Sequence, residues 1–380
     1  METNHNVYII GAGYSVDAGM PLIKNFINKM REASNWLLQN SKMKELKAIE
    51  EVLNFRKEAA SAAYRIKLNI DNIEQLFSLA SASNQDSLNK SIIDAITATL
   101  DYCEKQNTRR KILSLYFDET LQKELPNSTL FNRDKQSFMD NKGVRYRPHE
   151  IDLYEFYALI LSGITTNDKD AKNSIITLNY DLEIEKAFNN LKIPYTYNLE
   201  NVHYDTTLTK FDKKSIPILK LHGSINWATV NNNEKLTIFE DYSKAFENGI
   251  SRLLIPPTWQ KAFNGPIQEI WEHSKIVLSS ASRIIILGFS LPETDTHFKY
   301  LLAAGLKDNI SLKEIIFVNP EKESIMMSKI NSLFQPQLLE NNQIKYSEGN
   351  IENFFINKDF LKFINRNPIR INIGNFDHDA

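Results

Sequence analysis

The sequence predicts an α/β fold: a Rossmann-like parallel sheet with helices on both faces, an inserted helical subdomain and a small β-rich excursion. Three observations lead there. Short β-branched apolar runs, each closed by small or polar residues, read as buried parallel strands at 7–10, 174–178, 217–221, 284–287 and 315–318. Helical patterns at 182–191, 267–280 and 297–304 alternate with several of them. Residues 22–125 contain neither glycine nor proline, although each occurs 12 times in 380 residues, so that stretch reads as helix.

Within 22–125 the apolar residues recur at spacings of three and four. Phe26, Met30, Trp36, Leu37, Leu46, Ile49 and Leu53 make one stripe, and Ile73, Leu76, Phe77, Leu79 and Ala80 a second. Ile92, Ile93, Ile96 and Leu100 make a third, and Ile112, Leu113, Tyr116 and Leu121 a fourth. Four or five amphipathic helices follow, with Asp71 as N-cap of the second and Glu74 as its capping-box partner. The organisation expected is a Rossmann part at 1–21 and 170–350, interrupted by a helical subdomain at 22–169. The excursion is placed at 195–255, including a hairpin over 228–239 that turns at Asn231-Asn232-Asn233. A helix follows Glu321, then a strand candidate at 344–346 and an unassigned tail at 351–380.

Composition excludes several classes. With 42% hydrophobic and 24% charged residues the chain is neither disordered nor a disulfide-stapled miniprotein. Its apolar runs fall far short of the roughly 18–20 residues that span a bilayer, and the polar N-terminus is no signal peptide, so a cytoplasmic protein is expected. The single cysteine, Cys103, reads as an inert reduced thiol. The net charge of −2 argues against direct nucleic-acid binding. The basic clusters Arg109-Arg110-Lys111 and Arg145-Tyr146-Arg147 read as solvated faces.

In open α/β sheets ligands sit beyond the carboxyl ends of the strands, so what each strand ends on is informative. The five strands run into Gly11-Ala12-Gly13-Tyr14-Ser15, Asn179-Tyr180-Asp181, His222-Gly223-Ser224, Gly288-Phe289-Ser290 and Asn319-Pro320. The Gly11 loop has Val16 where the dinucleotide fingerprint has its third glycine, and Gly19 comes later; it reads as a diphosphate cradle or as a tight turn without ligand. His222 reads as a proton-exchanging group or a structural histidine. Asn179 and Asp181 can present an amide and a carboxylate to a polar ligand, or form an Asx turn. Asp295 and His297 follow the Gly288 motif closely enough to reach such a site, and Asp295 fits a helix N-cap equally well.

Taken in order, these motifs resemble the SIR2 (sirtuin-like) family. The matching pieces are Gly-Ala-Gly-Tyr-Ser-Val-Asp-Ala-Gly-Met-Pro at 11–21, Thr-Leu-Asn-Tyr-Asp at 177–181, Leu-His-Gly-Ser at 221–224, Gly-Phe-Ser-Leu at 288–291 and Val-Asn-Pro at 318–320. The resemblance implies an NAD-binding Rossmann-like domain that breaks the bond between nicotinamide and ribose. Gly11, Ala12, Gly13 and Ser15 would line the diphosphate and ribose, with Gly19 in the same motif. Asn179 would position the attacking group, Asp181 would face the carboxamide, and His222 would act as general base on the ribose hydroxyls. Gly288, Ser290 and Asn319 would hold the adenosine side. The family's deacylases carry a four-cysteine zinc module, which one cysteine cannot build, and the Asp-Phe-Arg that follows their glycine motif is replaced by Leu22-Ile23-Lys24.

The resemblance is therefore to the zinc-free bacterial SIR2-like effectors of antiphage defence, which hydrolyse NAD to nicotinamide and ADP-ribose. It implies NAD as substrate and no metal. It also implies control by homo-oligomerisation or by a separately encoded partner, such as a HerA-like ATPase or another nucleotide-handling protein. The chain has no Walker segment of its own. The helical insertion reads as an oligomerisation surface, a lid, or simple packing on the sheet. Two further functions stay open: a sensor that binds NAD or ADP-ribose without turnover, and a protein mono-ADP-ribosyltransferase.

Overall fold

The computed structural model describes residues 4–83, 86–107, 111–118, 138–139, 145–164, 171–200, 202–205, 215–230, 235–240, 250–258, 265–292, 295–356 and 371–373, with backbone alone at 86, 111–118, 138–139, 145–150, 205, 230, 250 and 371–373. The strands in chain order are β1 (His5–Ile10), β2 (Lys111–Asp118), β3 (Phe138–Met139), β4 (Arg145–Asp152), β5 (Lys172–Thr177), β6 (Tyr195–Thr196), β7 (Val202–Asp205) and β8 (Ile216–Lys220). They continue with β9 (Gly223–Val230), β10 (Leu236–Phe239), β11 (Ile250–Leu254), β12 (Arg283–Leu287), β13 (Glu314–Asn319), β14 (Ile344–Glu348) and β15 (Ile371–Ile373). The helices are α1 (Phe26–Gln39), α2 (Met43–Arg65), α3 (Ile73–Ala82), α4 (Asp86–Gln106), α5 (Leu153–Leu161) and α6 (Glu183–Leu191). After these come α7 (Pro266–Ser279), α8 (Thr296–Leu306), α9 (Glu323–Leu333), α10 (Pro336–Glu340) and α11 (Ile351–Ile356).

Seven strands form one parallel sheet in the order β14-β13-β12-β1-β5-β8-β6, flanked by helices. Every residue of β1, β12 and β13 is buried, which is why these strands read as continuous apolar runs rather than alternating ones. Polar side chains stitch the N-terminal edge: the His5 ring meets Ser280 and Ser174 hydroxyls at 2.9 Å each, and Arg283 Nε donates to Glu314 Oε1 at 2.8 Å. The chain leaves β1 toward β5 and β8 on one side and returns through β12, β13 and β14 on the other. That order makes the crevice beside β1 the topological switch point, where α/β sheets bind their ligands.

A second sheet, β11-β9-β10-β7, forms the β-rich excursion. Its β9–β10 hairpin pairs Thr229 with Leu236 and Trp227 with Ile238, and the expected turn at Asn231-Asn232-Asn233 lies outside the described residues. Residues 22–125 are not helical throughout. Lys111–Asp118, which holds most of the fourth stripe, is strand β2, paired antiparallel with β4 and β15 in a third sheet that also contains β3. The start of α3 also differs: Asn72, not Asp71, accepts the Glu74 and Gln75 amides at 2.9 and 3.3 Å. Asp71 is instead held by Arg56 through Nε at 2.8 Å. Residues 351–380 are not a structureless tail at their start: they begin with α11, whose Ile351 and Phe355 are buried in the main core. No helix among the described residues is long and apolar enough to cross a membrane. Of the basic clusters, Arg109 and Arg110 lie outside the described residues, and 145–147 fall on β4.

Candidate active site

The loops after β1 and β12 meet at closest range. Gly13 N donates to Gly288 O at 2.8 Å, and Gly11 N to Leu287 O at 2.9 Å. A Cβ on Gly13 would lie 2.8 Å from both the Cα and the O of Gly288, and one on Gly11 would lie 2.7 Å from the Phe289 Cβ. These glycines are thus required by loop-on-loop packing at the switch point. The first loop is a 3₁₀ helix, Ala12–Ala18, closed by Gly19 at φ 74°. Tyr154 of α5 fixes it from behind, its hydroxyl accepting from Ala18 N at 2.8 Å and donating to Tyr14 O at 3.0 Å.

Beyond this junction opens a cavity of about 830 Å³. Ala12, Gly13, Ser15, Asn179, Asp181, His222, Gly288, Ser290 and Asn319 all line it, so five strand ends spread over more than 300 residues of sequence converge on one space. Gly11 and Gly19 do not line it: the first packs behind the loop and the second caps the 3₁₀ turn. Asp295 reaches the wall at the N-cap position of α8 without a side-chain cap bond, whereas His297 does not reach it.

The polar groups are oriented. Asn179 donates through Nδ2 to Gly11 O at 3.1 Å and to Ser15 Oγ at 3.0 Å. Since a carbonyl can only accept, this fixes the amide's rotation and leaves Oδ1 as its acceptor. The Ser15 hydroxyl stands close enough to Asp181 to lower its pKa, and Asp181 Oδ1 accepts from Glu183 N at 3.2 Å. Burial raises the Asp181 pKa above its ordinary value, with Lys220, the Ser15 hydroxyl and the Glu183 amide pulling the other way and Glu185 adding to the rise. The strand end that carries His222 is held at three points. The His222 Nδ1 lies 3.3 Å from Leu178 O, Ile255 N donates to the His222 carbonyl at 2.9 Å, and Trp271 Nε1 donates to Leu221 O at 2.8 Å. An N–H at Nδ1 facing a carbonyl assigns the proton-accepting role to Nε2. Gly223 follows at φ +79°, where a Cβ would fall 2.2 Å from Leu253 O, so the turn after His222 admits only glycine.

The strand ends do not account for the whole wall. The stretch after the first loop adds Met20, Leu22, Ile23, Lys24 and Phe26, and the segment before α3 adds Asn69, Asp71, Asn72, Ile73 and Glu74. Glu74 and Asp295 both approach Tyr180 closely enough to raise its pKa further, after burial, and the Tyr180 hydroxyl donates to Ile255 O at 2.7 Å. Glu321 and Lys329, paired at 2.8 Å, close the far end. In the sequence only the expected Asp71–Glu74 capping box hints at an ordered segment before α3; nothing local says that it faces the strand ends.

Residues 173–347 match the family model of the SIR2-like domain. No curated protein sequence matches the chain. Similar solved structures include a Sir2 in complex with the inhibitor EX-527, 2′-O-acetyl-ADP-ribose and a deacetylated p53 peptide, at 14% identity and TM-score 0.36, covering 92% of this chain and 90% of that one. A Sir2–p53 peptide–NAD+ complex has 12% identity and TM-score 0.37 over 92% and 90% of the two chains. A Sir2 enzyme described for its mechanism and regulation has 10% identity and TM-score 0.40 over 96% and 93%.

Proposed function

Because the chain carries a SIR2-like domain, we propose that its cavity takes NAD+ and hydrolyses the bond between nicotinamide and ribose. The observation that carries this reading is the convergence of Asn179, Ser15 and His222, from three different strand ends, in one cavity at the switch point. Ala12, Gly13 and Ser15 face the diphosphate and ribose, and Gly288, Ser290 and Asn319 face the adenosine. Gly11 and Gly19 shape the loop rather than touch the ligand.

In the proposed reaction a water donates a hydrogen bond to Asn179 Oδ1 and attacks the ribose carbon as the C–N bond breaks. Nicotinamide leaves with the bonding pair, which neutralises its pyridinium charge, and His222 Nε2 takes the proton that the water loses. Nicotinamide, ADP-ribose and one proton result. Preorganised donors and acceptors of this kind act at little reorganisation cost in a site shielded from bulk water.

The biological reading, depletion of NAD+ as an effector of bacterial antiphage defence, needs the activity to be held in check. Ile23, Phe26 and the Asn69–Glu74 segment line the cavity, so the helical insertion is read as a lid through which self-assembly or a separate partner would act on catalysis.

The test is nicotinamide release by the purified chain, with NAD+ binding measured calorimetrically in parallel. General-base and orienting contributions of about 10²- to 10⁴-fold predict that His222→Ala and Asn179→Ala lose nearly all turnover while the chain stays folded. Wild-type release by both variants would refute the assignment. Binding without turnover would favour the sensor, and label moving from NAD+ onto protein would favour ADP-ribosyl transfer.

A further inference from the structure

Two residues before His222, the last residue of β8 is a lysine with no exposed surface. A buried ammonium is costly unless its protons are all used well. Lys220 Nζ donates to the backbone carbonyl of Asp181 at 2.6 Å and to Glu185 Oε1 at 2.9 Å. Glu185 is steadied in turn by the Tyr197 hydroxyl at 3.1 Å. One partner of the ammonium is thus the backbone of the Asn179–Asp181 turn, and the strand that carries Lys220 leads directly to His222.

We propose that Lys220 is a positioning residue for this site: by clamping the Asp181 carbonyl from beneath, it fixes the turn that presents Asn179 relative to the strand end that presents His222. The inference rests on the hydrolase reading for its catalytic consequence but not for its geometry. A second effect follows from the same placement. The groups facing Asp181 are Lys220 on β8, Glu183 and Glu185 on α6, Ser15 and Tyr14 on the first loop, and Tyr154 on α5. Lys220 is the cation in that set, and its charge opposes the upward pull of burial on the Asp181 carboxyl.

The test compares Glu185→Gln with the double variant Lys220→Met, Glu185→Gln. The double change takes out both members of the pair, so it leaves no uncompensated Glu185 charge to unfold the chain, and the step between the two variants isolates Lys220. The Asp181 carboxyl is titrated in ¹³C-aspartate protein without ligand, and nicotinamide release is followed against pH. The expected result is an Asp181 midpoint that rises on loss of Lys220. With it, kcat falls about tenfold or more and KM for NAD+ changes less than about threefold. A midpoint that stays put, or an unchanged kcat in the folded double variant, overturns the proposal. If the midpoint rises but the wild-type chain releases no nicotinamide, the hydrolase reading fails and the Lys220 assignment stands.

Discussion

Gly13→Ala tests the junction on which the cavity is built. Gly13 does not occupy the left-handed region, so alanine meets no backbone strain. By chain entropy alone the change would stabilise the protein by about 0.4–1 kcal/mol. The packing predicts the opposite sign. The new Cβ would lie 2.8 Å from two backbone atoms of Gly288, whereas carbon contacts settle near about 3.5–4.0 Å. The two loops must then part by about 1 Å, at the expense of the 2.8 Å bond from Gly13 N to Gly288 O. Overpacking of about 1–3 kcal/mol and a lost hydrogen bond of about 1 kcal/mol, less the entropy gain of about 0.4–1 kcal/mol, give a net destabilisation of about 1–3.5 kcal/mol. Thermal unfolding followed by circular dichroism should show Tm down by about 1–4 °C. A misplacement of about 1 Å at Ala12–Ser15 should also lower nicotinamide release about a hundredfold. An unchanged or raised Tm would refute the steric argument, and a lowered Tm with full activity would detach the junction from the site.

Three further outcomes are expected. Burial raises the Asp181 pKa above 3.8, so the folded state holds that proton more tightly than the unfolded chain and loses stability as pH rises through the raised value. Asp181→Asn should therefore be more stable than wild type at pH 8, by an amount that shrinks toward pH 4, while turnover falls; a Tm difference that is independent of pH would contradict this. Burial, reinforced by Lys172, lowers the His5 pKa from 6.5 to about 4. The stability contributed by its neutral ring is complete above 6.5 and is lost as pH falls from there toward 4, so urea titrations across that window should show a slope that His5→Gln flattens. Burial pushes the Cys103 thiol up to about 12, so a thiol reagent should stay unreacted with the native chain at pH 8 and react once in urea; rapid native labelling would show the thiol to be accessible.

The sheet was legible because its strands are buried on both faces: runs such as Ile284-Ile285-Ile286-Leu287 have few other stable uses, and each of the five expected strands appears within two residues of its observed bounds. The convergence of the strand ends on one cavity was legible for the same reason, since strand ends in such a sheet share one rim. Residues 111–118 show where periodicity misleads. Ile112, Leu113 and Tyr116 fit a helical stripe, yet Leu113, Leu115 and Phe117 alternate equally well, and the absence of glycine and proline does not choose between them. Helix α5 gave the opposite problem, because every residue of Leu153–Leu161 except Glu155 is buried, so no amphipathic stripe shows. Asn69–Glu74 could not be placed on the cavity because that contact depends on how the insertion folds back over the rim. Gly11 and Gly19 were legible as special positions, but the sequence does not choose between reasons: tight packing and a helix cap select glycine as strongly as a diphosphate does.

The most direct test of the central claim is the product balance from NAD+ over a concentration series of the purified chain, with Asn179→Ala beside it. The account predicts one free ADP-ribose for each nicotinamide released, no label on protein, and a silent Asn179→Ala. Intact NAD+ at every concentration with NAD+ bound, or release that survives Asn179→Ala, would contradict it.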